Sequence, residues 1–365
     1  MLIYACKPEP PAQDSQWMEL QKTLDLPKTP YDYTPVLPGY FQNQFIRIID
    51  NTPPDNPVTN WGATLGRVLF YDKQLSLNHT VSCASCHKQQ FGFADTARFS
   101  KGLHGGATAR HSMGLANAAY YKGGGFFWDE RAATLEQQTL MPIQDAVEMG
   151  MTLPVLIERL SQTKYYPALF KRSFGDEQIT EERISKALAQ FVRAIISYRS
   201  KFDSGRAMVA SADQPFPNYT TEENRGKNIF FNHNPVNCAG CHNTETFSMD
   251  FPRNNGLGEL SEDKGVFTHT QDPLDIGKFK APSLKNISLR KHFMHDGSFT
   301  SLEEVIEHYS SGITMSPTLD AHLVSNGQAV QKNLSNDEKK ALLAFLRTLT
   351  DFELVKDEKF TSPFR

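Results

Sequence analysis

The chain has 365 residues, enough for about two domains of roughly 100–200 residues, each able to bury a core of its own. A net charge of −3, from 38 basic and 41 acidic residues, provides no broad basic field for nucleic acid or an anionic membrane. The composition, 39% hydrophobic and 22% charged, is that of a globular protein, and no apolar run approaches the roughly 20 residues of a membrane-spanning helix.

In chain order, Leu2-Ile3-Tyr4-Ala5-Cys6 has the form of a bacterial lipobox, in which Cys6 would carry a lipid anchor. Ten of the 21 prolines fall within residues 8–57, a density that predicts an extended tether over residues 1–57. Trp61, Leu65, Val68 and Leu69 then recur at helical spacing within residues 60–70, shortly before the segment Cys83-Ala84-Ser85-Cys86-His87. Thr180 is placed to cap an amphipathic helix that shows Ile184, Ala187, Leu188, Phe191, Val192 and Ile195 on one face. Residues 203–220, rich in Pro, Ser and Asp, mark a boundary. Beyond it the order repeats. Thr221 opens a short helix over residues 221–231, followed by Cys238-Ala239-Gly240-Cys241-His242. The chain closes with a capping box, Ser335 to Glu338, ahead of Leu342, Phe345, Leu346 and Leu349.

Four of the five cysteines lie in the two copies of C-x-x-C-H, the attachment signature of c-type haem. Two thiols three positions apart reach the two vinyl groups of one porphyrin, and the adjoining histidine ligates the iron. On this basis Cys83, Cys86 and His87 hold one haem, and Cys238, Cys241 and His242 a second. A thioredoxin-like pair would want a βαβ setting, which neither copy has. A zinc site would have to join pairs far apart in the chain, each of which already has its own histidine. Haem of this kind is added after export in bacteria, so the expected compartment is the periplasm.

With helix, loop and motif repeated in order, the chain resembles the bacterial dihaem cytochrome c peroxidase and MauG superfamily over residues 58–352. The supporting segments are Gly66-Arg67-Val68-Leu69-Phe70, Phe127-Trp128-Asp129-Glu130-Arg131-Ala132-Ala133, Gln138, Pro142 and Val147-Glu148-Met149. Phe279-Lys280-Ala281-Pro282-Ser283-Leu284 and Met294-His295-Asp296-Gly297 follow the second motif. The resemblance implies a mainly α fold with two cytochrome c-like domains in tandem, each wrapping one covalent haem in long loops. The peroxidatic domain would span 58–205 and the electron-transfer domain 206–365. It also implies that Glu148 is the distal acid–base group, with Gln138 beside it, and that Trp128 relays electrons between the haems. Arg110 and Arg131 are expected as propionate partners. His104, 17 residues after His87 and flanked by glycine, is the candidate loop ligand of the first haem, with His111 as its rival. At the second haem the family places a Met in the peroxidases and a Tyr in MauG. Tyr309 is the expected ligand here, against His308, Met294 and Met315. The family's interdomain calcium uses an Asn where this chain has His111, a poor ligand for so hard a cation, which puts calcium in doubt. Val236 stands where MauG has the surface Trp that oxidises its partner.

Three functions are compatible with these residues. The first is reduction of hydrogen peroxide to water with electrons from a small cytochrome or cupredoxin. The second is a MauG-like use of peroxide, through high-valent iron, to modify a partner protein. The third is dihaem electron transfer without chemistry, which Gln138 and Glu148 argue against. A homodimer is common in the family.

Overall fold

Short capped helices joined by long loops make up the computed structural model, which describes residues 12–121, 123, 125–231, 238–243, 245–248, 251–258 and 263–365. The helices are α1 (Ala12–Leu20), α2 (Gln44–Ile49), α3 (Asn60–Tyr71), α4 (Cys83–Cys86), α5 (Leu135–Gln144), α6 (Leu153–Ser161) and α7 (Tyr166–Phe174). There follow α8 (Glu181–Ala194), α9 (Lys201–Arg206), α10 (Thr221–Phe231), α11 (Phe267–Thr270), α12 (Leu302–Ser311) and α13 (Asn336–Arg347). Among the described residues the one strand ladder is a two-residue hairpin, Val324–Ser325 with Gln328–Ala329. The expected mainly helical character is present. Cys6 and Val236 lie outside the described residues.

The caps explain where the helices start. Thr59 accepts the Gly62 N–H at 3.0 Å to open α3, Thr180 caps α8, and Ser335 with Glu338 forms the expected box on α13. Helix α10 is capped one residue earlier than expected. Thr220, not Thr221, accepts the Glu223 N–H at 3.1 Å and donates its own N–H to the Glu223 carboxylate at 2.7 Å. The box needs its acid three residues after the cap, and only Thr220 meets that spacing.

One helix crossing occurs twice. A Cβ on Gly66 of α3 would lie 2.0 Å from Ala187 O and 2.7 Å from Phe191 Cβ of α8. A Cβ on Gly226 of α10 would lie 1.9 Å from Ala341 O and 2.9 Å from Phe345 Cβ of α13. In each case a side-chain-free turn receives the Ala–Phe (i, i+4) ridge of its partner, an approach closed to any other residue. Around the first crossing pack Leu65, Val68, Leu69, Phe70 and Leu188; around the second, Phe202, Phe230, Phe247 and Leu346.

Each core also draws on segments distant in the chain. Trp17, Leu20, Leu24, Leu26 and Tyr33 are buried in the first core, so the proline-rich stretch is docked from Trp17 onward rather than free. Prolines keep it extended, but the apolar residues between them have core to bury against. Phe202, before the expected boundary, packs in the second core. Leu354 and Phe360, from the far end, return to the first, where the buried Arg67 donates through Nε to Thr361 O at 2.6 Å. No helix among the described residues is long and apolar enough to cross a membrane.

Candidate functional site

The first motif is a single helical turn. Helix α4 is opened by a Ser82–Ser85 box, and the His87 N–H closes it on Cys83 O at 2.9 Å. That turn sets both thiols and the imidazole on the wall of a cavity of about 720 Å³, also lined by Trp128, Gln138 and Glu148. The volume suits a bound cofactor. His87 Nδ1 faces two carbonyls, Phe93 O at 2.9 Å and Met113 O at 3.0 Å. Carbonyls only accept, so Nδ1 carries the proton and Nε2 keeps the lone pair a metal needs. Burial lowers the His87 pKa, which favours that neutral form.

The second motif repeats the arrangement. The His242 N–H donates to Cys238 O at 2.9 Å, and Nδ1 donates to Phe247 O at 3.3 Å. Burial pushes this imidazole down to about 4. All four thiols are free, and burial pushes Cys83 and Cys238 up to about 12 and Cys86 and Cys241 up to about 11. Two neutral thiols with a neutral, oriented imidazole are the donor set that fits covalent haem, at both places.

Across the first cavity stand Gln138, on α5, and Glu148, in the turn that follows it. Asp145 Oδ1 accepts the N–H groups of Val147 and Glu148 at 2.8 and 3.0 Å, and Gly150 N–H returns to Asp145 O at 2.8 Å. From outside, the Leu103 N–H donates to Glu148 O at 3.0 Å, with Val147 O at 3.2 Å. Glu148 itself is half-buried. Desolvation by burial, then the Asp145 charge, raises its pKa against a smaller opposing effect of Arg131. Among the described residues its carboxylate accepts no hydrogen bond. The expected pair is therefore brought together with His87.

His104 is not. It sits exposed at the tip of a short turn closed by Gly102 N–H to Gly106 O at 2.8 Å and Gly105 N–H to Gly102 O at 2.9 Å, outside the cavity lining. Leu103 beside it is buried, and its N–H bonds to the Glu148 turn. His111, the rival, is buried at the seam between the halves, where its N–H donates to His295 O at 2.9 Å.

Trp128 occupies the same seam. Its Nε1–H donates to His111 O at 2.7 Å, and its carbonyl accepts the Lys280 N–H at 2.8 Å. Its ring lies 6.5 Å from that of His295, edge on. Arg110 spans the seam bidentately to Asp263 at 2.7 Å and reaches Asp129 at 2.6 Å, so two carboxylates already pair its charge. Arg131 is paired with Asp129 at 2.9 Å and lies over the Phe127 ring at 3.7 Å.

At the second site α12 carries Tyr309. Asn255 Nδ2 donates to Tyr309 Oη at 3.3 Å and to Met294 Sδ at 3.5 Å, which puts two of the candidate ligands around one amide. Burial raises the phenol, and the Cys241 and Cys238 thiols are near enough to add to that effect. His308 points elsewhere, its Nε2 against Asn255 O at 3.1 Å, and Met315 is exposed. Asn255 and Gly102 gave no signal in the sequence. A loop Asn or Gly reads as a turn former until its tertiary neighbours are known.

Residues 61–208 match the di-haem cytochrome c peroxidase family. The chain is 34% identical over 298 residues to the methylamine utilization protein MauG of Methylophilus methylotrophus, covering 81% of this chain and 84% of that one. It is 29% identical over 327 residues to the cytochrome c551 peroxidase of Nitrosomonas europaea, covering 86% and 87%. A solved MauG-like protein associated with microbial copper homeostasis superposes with a TM-score of 0.76 at 32% identity, covering 91% of this chain and 99% of the other. With both attachment sites formed as the chemistry of covalent haem requires, the chain belongs to the di-haem cytochrome c peroxidase and MauG family of oxidoreductases, which carry two c-type haems.

Proposed function

We propose that the protein is a periplasmic dihaem peroxidase that reduces hydrogen peroxide to two waters, taking two protons and two electrons, the latter from a small cytochrome or cupredoxin. The observation that carries this reading is Glu148, a carboxyl with a raised pKa and no hydrogen-bond partner, on the wall of the cavity that holds His87. The haem held by Cys83, Cys86 and His87 supplies the centre that binds and reduces peroxide, and that held by Cys238, Cys241 and His242 supplies the electron store. Glu148 takes the proton from one peroxide oxygen and hands it to the other, which departs as water. Gln138 orients the peroxide beside it with its side-chain amide. Trp128, hydrogen-bonded to both halves, is the relay between the two centres. The halves are a tandem pair of cytochrome c-like domains, supported by the repeated Gly–Ala–Phe crossing and the repeated Nδ1–carbonyl bond.

Steady-state consumption of peroxide with a reduced small cytochrome tests the reading. The wild type should turn over, and Glu148→Gln should be about 10²- to 10⁴-fold slower, the range that general acid–base catalysis contributes. A wild type indifferent to peroxide, or a variant as fast as the wild type, would refute it.

A MauG-like oxidation of a partner protein is favoured by one observation, the placement of Tyr309 beside the second pair of cysteines. A phenolate ligand stabilises the higher oxidation state where a thioether would favour the lower. This reading requires that oxidising equivalents from peroxide persist in the absence of a donor. Their decay within the mixing time would count against it.

A further inference from the structure

Arg290 is 8% accessible, and its Nε and Nη2 have no hydrogen-bond partner. Among the described residues no carboxylate pairs with it. It stands at the start of the segment by which the second half docks on the first. There the Arg98 Nε–H donates to Asp296 O at 2.8 Å, and the backbone of His111 bonds that of His295. His111, 1% accessible, has a second orphan at Nε2, while its Nδ1 donates to Arg98 O at 3.0 Å. The His292 ring lies 5.7 Å from that of His111, its own Nδ1 donating to Gly297 O at 3.1 Å. His111 lines the cavity that holds Cys83, Cys86 and His87, so the cluster adjoins the first attachment site.

A buried guanidinium with two unused donors is costly, and it persists where something supplies an anion. Calcium does not fit here. The side chains at this place, a guanidinium and two imidazoles, offer no oxygen, the Arg98 and Gly297 carbonyls already accept from His111 and His292, and a divalent cation would stand against the buried Arg290 charge. Each haem, by contrast, brings two propionate carboxylates, and the guanidinium fork matches a carboxylate bidentately. Arg110, by contrast with Arg290, already has its charge paired with Asp129 and Asp263.

We propose that Arg290, flanked by His111 and His292 at the seam, is a built-in cation that receives a propionate of the first haem and takes the place of a divalent metal ion there. The inference rests on haem attachment alone and stands whether or not Glu148 acts on peroxide.

Potentials of both haems are measured by spectroelectrochemical titration of the holoprotein, without peroxide. Dialysis against EDTA should leave spectra and potentials unchanged, and calcium added afterwards should give no calorimetric binding. Arg290→Gln should shift the first-haem reduction equilibrium about tenfold toward the oxidised form, about 59 mV for one electron, and leave the second in place. Arg290→Lys, which keeps the charge, should stay within about threefold of the wild type. It carries the test if the Gln variant does not accumulate, and a reduction equilibrium shifted about tenfold in Lys, about 59 mV, overturns the charge account. Unchanged potentials in Arg290→Gln, or stoichiometric calcium released by EDTA with a spectral shift, also overturn the proposal. Chloride and inorganic phosphate, titrated into the wild type, should change nothing. A saturable shift with either would assign the site to a free anion and refute the propionate.

Discussion

Replacing Gly102 by Ala should disable the first site while leaving His87, Gln138 and Glu148 themselves unchanged. A Cβ at position 102 would stand 1.6 Å from Val147 O, 2.6 Å from its carbonyl carbon and 3.2 Å from Glu148 Cα. All three atoms are backbone, so no side-chain rotation relieves the contact. The Val147–Glu148 peptide would have to move by about 1.4 Å to reach the 3.0 Å that Cβ atoms keep from their neighbours. The bond from Leu103 N–H to Glu148 O at 3.0 Å would be strained at the same time. A misplacement of about 1 Å is enough to cost roughly 10²-fold in rate, and that is the expected loss in peroxide turnover. Overpacking adds a stability cost of about 1–3 kcal/mol. Haem content, read as the pyridine haemochrome, should stay at two per chain because both attachment turns lie elsewhere. Gly106→Ala is the control. Its Cβ would meet only Val147 Cγ1 at 3.5 Å, an ordinary contact, so its rate should match the wild type. A Gly102→Ala enzyme with full haem and wild-type turnover would show that the position of the Glu148 turn does not govern the rate.

Other perturbations address the same architecture. Because burial raises the Glu148 pKa, the folded protein holds that proton more tightly than the unfolded chain, and stability falls as pH rises through the folded value. Glu148→Gln should therefore melt higher than the wild type at about pH 7 and equally at about pH 3; a lower midpoint at neutral pH would contradict the sign. At the second site, Tyr309→Phe should change the optical and EPR spectra of the oxidised second haem while Met294→Leu leaves them alone. The reverse pattern would assign the ligand to Met294. Arg193, buried in α8, holds Glu136 at 2.5 and 3.0 Å and Asn51 Oδ1 at 2.9 Å. Arg193→Met should cost about 3–5 kcal/mol in chemical unfolding, with part recovered in the double variant Arg193→Met/Glu136→Gln. Equal stability of wild type and single variant would remove this pair from the account of the first core.

Much of the site was legible because it is encoded at short range. Cysteine spacing and the adjoining histidine are covalent chemistry written in five residues, and Thr59, Thr180 and Ser335 announce their helices through bonds spanning three residues. Apolar periodicity identified the α8 and α13 faces for the same reason. The resemblance brought Gln138 and Glu148 to one place, and both line the His87 cavity.

What the tertiary structure decided are the pairings between residues far apart in the chain. The pairing of Arg110 with Asp263 and the exposed position of His104 at the tip of its turn are both of this kind. The proline-rich start reads as an extended tether by composition, yet Tyr33 Oη–H donates to Lys359 O at 2.9 Å, and this stretch and the C-terminal tail both bury against the first core. Local preference is set by a residue and its neighbours within a turn or two. The partner of a buried charge is set by the path of the whole backbone, to which no local pattern has access.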